Sequence, residues 1–120
     1  MSETSEQRDA VLWFRAKYPR HIKAMRVSMG GMPRHGKKGA VLWSYMKGQG
    51  VLKGEADISI LIPRGKFSAL LIEHKGANQS HSLTEDQQEY LDYHNSVGNL
   101  AISTRGFDVL TAAIDTNMGM

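Results

Sequence analysis

Three residues of this 120-residue sequence have the types and spacing of a hydrolytic site: Asp57, Glu73 and Lys75. Residues 68–72 form an apolar run typical of a buried strand, and the run leads into Glu-x-Lys. Because side chains alternate along a strand, Glu73 and Lys75 share one face, about 6–7 Å apart. A tight turn at 63–66 predicts that the strand starting at Asp57 pairs antiparallel with this one. We therefore expect two carboxylates and one ammonium group to meet at one end of a hairpin.

Two converging carboxylates suit a hard divalent cation, Mg²⁺ or Mn²⁺, which retains water ligands and binds phosphate oxygens. Such a cation polarises a phosphodiester and lowers the pKa of a bound water. Lys75 would hold the attacking water or stabilise charge in the transition state, and the backbone carbonyl of His74 would add an oxygen ligand. The alternative is an ordinary one, because a Glu-x-Lys pair on a strand usually forms a solvated surface. The preceding strand, which begins at Asp57, favours the metal site.

The charge of the chain is unevenly distributed, although the net value is only +3. No acidic residue lies between Asp9 and Glu55, and this stretch holds ten Lys and Arg residues. After Lys75 the sequence contains six acids and one basic residue, Arg105. A basic half of this kind predicts a nucleic-acid partner, since each neutralised phosphate releases counterions. The alternative is a solvated cationic surface.

Composition narrows the class of protein. Apolar residues make up 41% and charged residues 22% of the chain, as in ordinary globular proteins. The sequence contains no apolar run of the ~20 residues that a membrane span needs, and its polar N-terminus has no signal-peptide core. The absence of cysteine excludes disulfides and thiolate chemistry. We expect one domain over residues 1–120, in the cytoplasm, without a zinc site or a nucleotide-binding phosphate loop.

The elements that must position the site follow from periodicity and turn residues. The predicted order is α-β-α-β-β-α-β-α, a mixed β-sheet flanked by helices in an α/β fold. Thr4 and Gln7 have the spacing of a capping box for the first helix, which Pro19 ends. The other predicted segments are a strand at 21–29, a basic loop at 30–39, a helix at 40–47, strands at 57–62 and 67–75, a helix at 84–96, a strand at 100–103 and a helix at 107–116.

Three ordered motifs make the sequence resemble a known family. They are the segments 50–58 (GVLKGEADI), 71–75 (LIEHK) and 83–91 (LTEDQQEYL). Together they look like the VRR-NUC domain, the virus-type replication-repair nuclease branch of the PD-(D/E)XK superfamily. The resemblance spans nearly the whole chain, because Glu6 also falls where the family carries an acidic residue. One position departs from the family pattern: Ala56 stands where a proline usually precedes the aspartate.

The resemblance implies a restriction-endonuclease-like core and a phosphodiesterase that uses Mg²⁺ or Mn²⁺. Asp57 and Glu73 would be metal ligands and Lys75 the catalytic lysine. Gln87 would complete the site, and so would Glu6, which would bind the metal directly or through water.

Gln87 and Glu6 each have an alternative role. Thr84 and Gln87 have the spacing of a helix capping box, in which the glutamine side chain reaches back to the backbone. An acid in the first turn of a helix, such as Glu6, is favoured by the helix dipole without any further function.

The sequence is similar to the stand-alone viral members of the family. That resemblance implies a homodimer that cuts four-way (Holliday) DNA junctions. Such an endonuclease would serve replication, recombination or repair, in the host cytoplasm if a phage encodes it. Two active sites related by a two-fold axis suit paired cuts. Three alternatives stay open: a non-catalytic DNA-binding module on the same fold, a structure-specific flap nuclease, and an RNA-directed binding or structural protein.

Several residues outside the catalytic set also have predicted roles. His74 points away from Glu73 and is expected to pack or lie at the surface, and Tyr90 is expected in the core. Trp13 and Trp43 are expected to be buried or to lie at a subunit interface. The candidates for phosphate contacts are the basic residues Arg34, His35, Lys37, Lys38, Lys53 and Arg105. For the four in the glycine-rich segment, the alternative is a flexible charged loop.

Overall fold

Helices and strands follow one another in the predicted order. The computed structural model describes residues 3–28 and 36–120. Within these ranges the elements are α1 (Glu3–Lys17), β1 (Met25–Val27), α2 (Gly36–Gly48), β2 (Ile58–Ile60), β3 (Leu70–Lys75), α3 (Glu85–Ser96), β4 (Leu100–Arg105) and α4 (Phe107–Met118). A 3₁₀ helix, Pro19–Ala24, precedes β1. The predicted α/β order is confirmed, with this short helix added.

The four strands form one mixed sheet in the order β1-β2-β3-β4. β2 and β3 are antiparallel, with Ile58 opposite Ile72. Two hydrogen bonds close the turn between them: the Arg64 N–H donates to the Phe67 carbonyl at 2.9 Å, and the Phe67 N–H donates to the Arg64 carbonyl at 3.0 Å. β1 is antiparallel to β2, whereas β4 is parallel to β3. The predicted hairpin is confirmed.

The two faces of the sheet pack against different helices. On the face covered by α1 and α4, the fully buried residues are Ala10, Phe14, Ile58, Ile60, Leu70, Ile72, Leu110 and Ile114. On the opposite face, a smaller cluster under α3 consists of Ala56, Leu71, Leu91 and Ala101. Each large aliphatic side chain buried in this way contributes about 1.5–3 kcal/mol. Because β3 side chains alternate, residues 71, 73 and 75 lie on the α3 face and residues 70, 72 and 74 on the α1 face.

The predicted strand at 21–29 is wrong over its first half. Residues 21–24 belong to the 3₁₀ helix, and β1 has three residues. Pro19 stands at the start of this helix, where its fixed φ is favourable and its missing N–H costs nothing. The His21 N–H then donates to the Tyr18 carbonyl at 2.9 Å. A proline that ends one helix therefore begins another short one.

Other boundaries also differ from prediction. β2 and β3 are shorter than the strands predicted at 57–62 and 67–75. α1 already includes Glu3, so Thr4 lies inside the helix and is not its N-cap. α2 begins at Gly36, within the segment predicted as loop. β4 continues to Arg105, which ends a strand. None of the helices in the described ranges combines the length and the apolar character that a membrane span would need.

Two glycines allow the chain to approach itself closely near the end of β3. Gly54 has a φ of +82°, and a Cβ built there would lie 2.5 Å from the backbone carbonyl carbon of Asp86 in α3. A Cβ at Gly76 would lie 2.7 Å from the backbone nitrogen of Glu3. Real Cβ atoms do not occupy such positions, so both sites require glycine. The loop before Asp57 is thereby held against α3, and the start of α1 against the end of β3.

Candidate active site

Asp57 and Glu73 lie together at the C-terminal end of β3. Asp57 directly precedes β2, whose pairing with β3 carries it beside this end. The His74 backbone N–H donates to Asp57 Oδ2 at 2.8 Å, which fixes the orientation of the carboxylate. Each of the two carboxyl groups affects the pKa of the other, so the two side chains are close neighbours. The structure therefore brings together the two acids that the hairpin predicted.

Glu73 is a buried carboxylate, with 3% of its surface exposed. Its Oε1 accepts a hydrogen bond from Gln87 Nε2 at 2.8 Å and lies 3.7 Å from Lys75 Nζ. Its Oε2 is buried and has no hydrogen-bond partner among the described residues. A buried acceptor without a donor is unfavourable, and beside a second carboxylate it is more so. A divalent cation between Asp57 and Glu73 would satisfy both groups.

The pKa values of both acids are raised, and burial is the main cause in each case. Burial and the adjacent charge of Asp57 raise the pKa of Glu73 to about 8. Burial also raises the pKa of Asp57 to about 6, although its hydrogen bond from the His74 N–H acts in the other direction. In the metal-free protein the pair therefore retains a proton near neutral pH. A bound cation favours the ionised forms and would displace that proton.

Lys75 and Gln87 complete this cluster from the α3 face. The Lys75 ammonium is 14% exposed and donates to Gln87 Oε1 at 3.3 Å. The same oxygen accepts the Thr84 N–H at 2.9 Å, while Thr84 Oγ1 accepts the Gln87 N–H at 3.2 Å. Gln87 is thus both a capping residue of α3 and a partner of Lys75 and Glu73. The capping contact is confirmed and does not exclude contacts with the candidate site, and the part of Gln87 in catalysis stays a prediction.

Glu6 and His74 form a separate buried network on the α1 face. Glu6 Oε1 lies 2.9 Å from His74 Nε2, and the Ala77 N–H donates to Glu6 Oε2 at 3.0 Å. His74 Nδ1 lies 2.8 Å from the hydroxyl oxygen of Thr104. Burial raises the pKa of Glu6, but its hydrogen bonds from Ala77 and His74 outweigh that effect and lower it overall. Both Glu6 oxygens are engaged on the far side of β3 from Glu73, so its role as a metal ligand stays a prediction that this geometry does not support.

No protein-family model matches the sequence, and no curated protein matches it. A solved structure described as a "VRR_NUC domain protein" superimposes on it with a TM-score of 0.80. The alignment covers 99% of this chain and 89% of that chain, at 22% sequence identity. The chain has the VRR-NUC fold. The restriction-endonuclease-like core that the three motifs implied is therefore confirmed.

Within this VRR-NUC fold, Glu3 is an acid near the site that the sequence analysis missed. Its charge is close enough to raise the pKa of both Asp57 and Glu73. Glu3 and Glu6 are three residues apart in α1, so they lie on neighbouring turns of one helix face. The start of α1 is the feature that could have revealed Glu3. Because the helix includes Glu3, its first turn lies against Gly76 at the end of β3.

Few side chains of the candidate site could hold a metal ion. In residues 3–28 and 36–120, no group of three or more His, Cys, Asp or Glu residues has the geometry of a metal site. Mg²⁺ usually keeps several water ligands and needs only one or two carboxylates. Asp57 and Glu73 meet that requirement. The carbonyl of His74 stays a predicted additional ligand, on a residue whose N–H orients Asp57.

The structure describes the side chains of three of the basic residues predicted to contact phosphate, and each has a different environment. Arg34, His35 and the side chain of Lys37 lie outside the described residues. Lys38 is exposed on α2. Lys53 Nζ lies 3.3 Å from Asp86 Oδ2, beside the start of α3. Arg105 donates to the Ala77 carbonyl at 2.9 Å.

Proposed function

We propose that this protein is a metal-dependent DNA nuclease whose catalytic centre consists of Asp57, Glu73 and Lys75. The observation that carries the proposal is Glu73 Oε2, a buried carboxylate oxygen that lacks a hydrogen-bond partner in the described residues and belongs to a pair of coupled acids. A divalent cation is the simplest group that stabilises such a pair. The fold shared with a protein described as "VRR_NUC domain" supports the same reading.

Asp57 and Glu73 would hold Mg²⁺ or Mn²⁺ at the end of the hairpin. The bound cation would supply Lewis acidity at a phosphate oxygen and make a water molecule a stronger nucleophile. The protein contributes the orientation of its ligands, since the His74 N–H fixes Asp57 and the Gln87 amide fixes Glu73. Both contacts hold the carboxylates in place before substrate arrives.

Lys75 acts on the reacting phosphate group. Its ammonium is held by Gln87 Oε1 at 3.3 Å and lies 3.7 Å from Glu73 Oε1, so its position is tied to that of a metal ligand. A positive charge placed in this way stabilises negative charge that develops on the phosphate, or orients the attacking water. Gln87 is a positioning residue, because it contacts Lys75 and Glu73 rather than the reacting atoms.

The substrate we propose is branched DNA, with the four-way junction as the first candidate and a homodimer as the active form. The basic half of the chain supports a nucleic-acid substrate. α2 exposes Val41 and Tyr45, each 66% accessible, and a helix with such residues is a candidate subunit interface. Two copies would supply two cutting sites and a longer basic surface. We assign the reaction to replication, recombination or repair in the cytoplasm, which is the host's cytoplasm if a phage encodes the protein.

The test is a cleavage assay on labelled four-way, flap and linear DNA and on a duplex RNA, in Mg²⁺, Mn²⁺ or EDTA. We expect metal-dependent cutting of branched DNA. Asp57→Asn and Lys75→Ala should each reduce cleavage by about a hundredfold or more while junction binding survives. Lys66→Ala is the matched control, since Lys66 is an exposed lysine in the β2–β3 turn at the other end of β3.

Three outcomes would contradict the proposal. Binding of DNA without cleavage in any metal would identify a non-catalytic DNA-binding module. Equal affinity for branched DNA, linear DNA and RNA would favour a general polyanion-binding protein. Cleavage that survives in Asp57→Asn and Lys75→Ala would place the catalytic centre elsewhere.

A further inference from the structure

A cleft of about 260 Å³ opens on the α3 face of the sheet, beside the catalytic centre. β1, β2 and β3 form its floor, and α3 forms one wall. The residues that determine its chemistry are Arg26, Ala56, Ser59, Leu71, Tyr90 and His94. None of these belongs to the catalytic set.

The cleft begins where the catalytic centre ends. Leu71 lies two residues before Glu73 on the same face of β3, a step of about 6–7 Å. Tyr90 follows Gln87 by three residues, which is about one turn of α3. Ala56 is the direct neighbour of Asp57 in the chain. A DNA strand with one phosphate at the carboxylates would therefore place its next nucleotide at the cleft.

The lining suits a ligand that combines an aromatic ring with a separate anionic group. Leu71 and Ala56 supply an apolar floor, and Tyr90 packs with His94 at 4.5 Å between ring centroids. Arg26, on the short strand β1, supplies an exposed positive charge at the rim. The acid among the lining residues, Glu55, has its Oε1 bonded to the Leu52 N–H at 3.1 Å, within its own loop.

The cleft is too small to hold base-paired DNA. Its volume is below that of most small-molecule pockets, whereas the major groove of a B-form duplex is by itself about 12 Å wide. One unpaired nucleotide fits a volume of this order. Burial and the charge of Glu55 both raise the pKa of Tyr90, so its hydroxyl remains a neutral donor.

We propose that this cleft binds an unpaired nucleotide adjacent to the scissile phosphate, with its base against Tyr90 and its phosphate toward Arg26. The inference rests on the proposed nuclease function and adds a substrate requirement to it. Branched DNA is the substrate in which a nucleotide beside the cut leaves the helix at least cost, because stacking and pairing are already interrupted at a branch. Binding of one extruded base in the cleft would thus make the enzyme prefer branched DNA.

The experiment uses branched substrates that carry a single abasic site, moved one position at a time through the nucleotides flanking the cut. For the unmodified protein we expect one position at which base removal lowers kcat/KM about 10- to 100-fold, the usual effect of losing one base stacked on an aromatic ring. Tyr90→Leu should cleave intact DNA more slowly by a similar factor and be indifferent to the abasic site. Tyr90→Phe keeps the ring and should keep the sensitivity.

Two controls separate base binding from a structural effect. Tyr93→Leu changes a tyrosine of the same helix that is 61% exposed and does not line the cleft, so sensitivity to the abasic site should persist. Ser59→Leu fills the cleft while leaving Tyr90 in place, and it should remove the sensitivity even if Tyr90→Leu fails to fold. An abasic effect of the same size in every variant, or no sensitive position at all, would overturn the proposal.

A parallel binding measurement distinguishes this proposal from the nuclease proposal. The same abasic series is read by affinity in EDTA, where no cleavage is expected. If the protein binds but never cuts, a position-specific loss of affinity that depends on Tyr90 still supports the cleft. Uniform affinity across the series rejects the cleft, whether or not the DNA is cut.

Discussion

At the scale of single residues, the site depends on side chains that serve two purposes. Gln87 caps α3 through Thr84 and at the same time contacts Glu73 and Lys75. His74 orients Asp57 with its backbone N–H, while its buried ring contacts Glu6 and Thr104. Because each residue links the fold to the site, small changes at these positions are expected to affect both.

The raised pKa values of the two acids lead to a prediction about pH. In the unfolded chain the pKa of each carboxyl group is about 4. In the folded, metal-free protein the pKa of Asp57 is about 6 and that of Glu73 about 8. The folded state therefore holds more protons over this interval, and its free energy of unfolding falls as pH rises from about 4 toward 8. We expect Glu73→Gln to lose less stability over this interval than the unmodified protein.

The measurement is chemical denaturation in EDTA at several pH values between 5 and 8. Mg²⁺ or Mn²⁺ should raise the stability of the unmodified protein more at pH 8 than at pH 5, because it binds the ionised pair. The Gln variant should respond weakly to metal. Identical pH profiles for the two proteins would show that Glu73 titrates normally.

At the scale of elements, the site is a junction of three segments held at the end of β3. The loop before Asp57 packs on α3 through Gly54, and α1 reaches the strand through Gly76. The Glu6–His74 pair, with 1% and 0% of its side chains exposed, joins α1 to β3. The contacts at the two glycines are close and the Glu6–His74 pair is buried, so the relative positions of these elements are strongly constrained.

Gly54→Ala tests this arrangement of elements. The added Cβ meets the backbone of Asp86 at 2.5 Å, at a φ that is unfavourable for alanine. The loop that carries Asp57, or the first turn of α3 that carries Gln87, must move. We expect a loss of more than about 1 kcal/mol in unfolding free energy, together with at least a tenfold loss of cleavage.

Gly50→Ala is the matched control for this substitution. Gly50 has a φ of +99°, but a Cβ there meets no atom within 4 Å. It should therefore lose stability from backbone strain alone and keep its cleavage activity. If both variants lose the same stability and activity, the contact with α3 does not position the site.

At the scale of the whole molecule, the fold determines where the basic residues lie relative to the acids of the candidate site. The acids of the site lie at the end of one sheet, whereas ten of the fifteen Lys and Arg residues lie between Asp9 and Glu55 in the sequence. Lys53 lies beside the start of α3, close to the loop that leads to Asp57. The fold thus brings Lys53, a residue of the basic half, near the candidate site. If the proposed function holds, a lysine in this position would bind a phosphate that flanks the cut.

This distribution predicts which lysines govern the salt dependence of DNA binding. We expect Lys38→Ala and Lys53→Ala each to reduce the slope of log affinity against log salt by about 0.9. Lys66→Ala, in the turn at the opposite end of β3, should leave the slope unchanged. The measurement is a binding titration on an uncleaved junction in EDTA at several salt concentrations. Equal slopes for all three variants would show that Lys38 and Lys53 contact DNA no more than Lys66 does.

Local pattern was sufficient to predict the hairpin and the residues at its end. Alternation along β3 places Glu73 and Lys75 on one face, and the short turn brings Asp57 beside them, whatever the remainder of the chain does. The order of helices and strands followed from the same short-range signals. Boundaries were less secure, as Pro19–Ala24 shows, because a proline that ends one helix is equally suited to begin the next.

The sequence by itself thus determined which residues meet at the candidate site and the strand pairing that assembles it, because both depend on residues close together in the chain. The tertiary structure alone decided that Glu6 pairs with His74 across 68 positions, that Glu3 lies near the carboxylates, and that Gln87 contacts both Thr84 and Glu73. It alone placed the cleft beside the candidate site. These features depend on how α1 and α3 pack on the sheet, and helix packing is set by contacts between distant segments that no local spacing encodes.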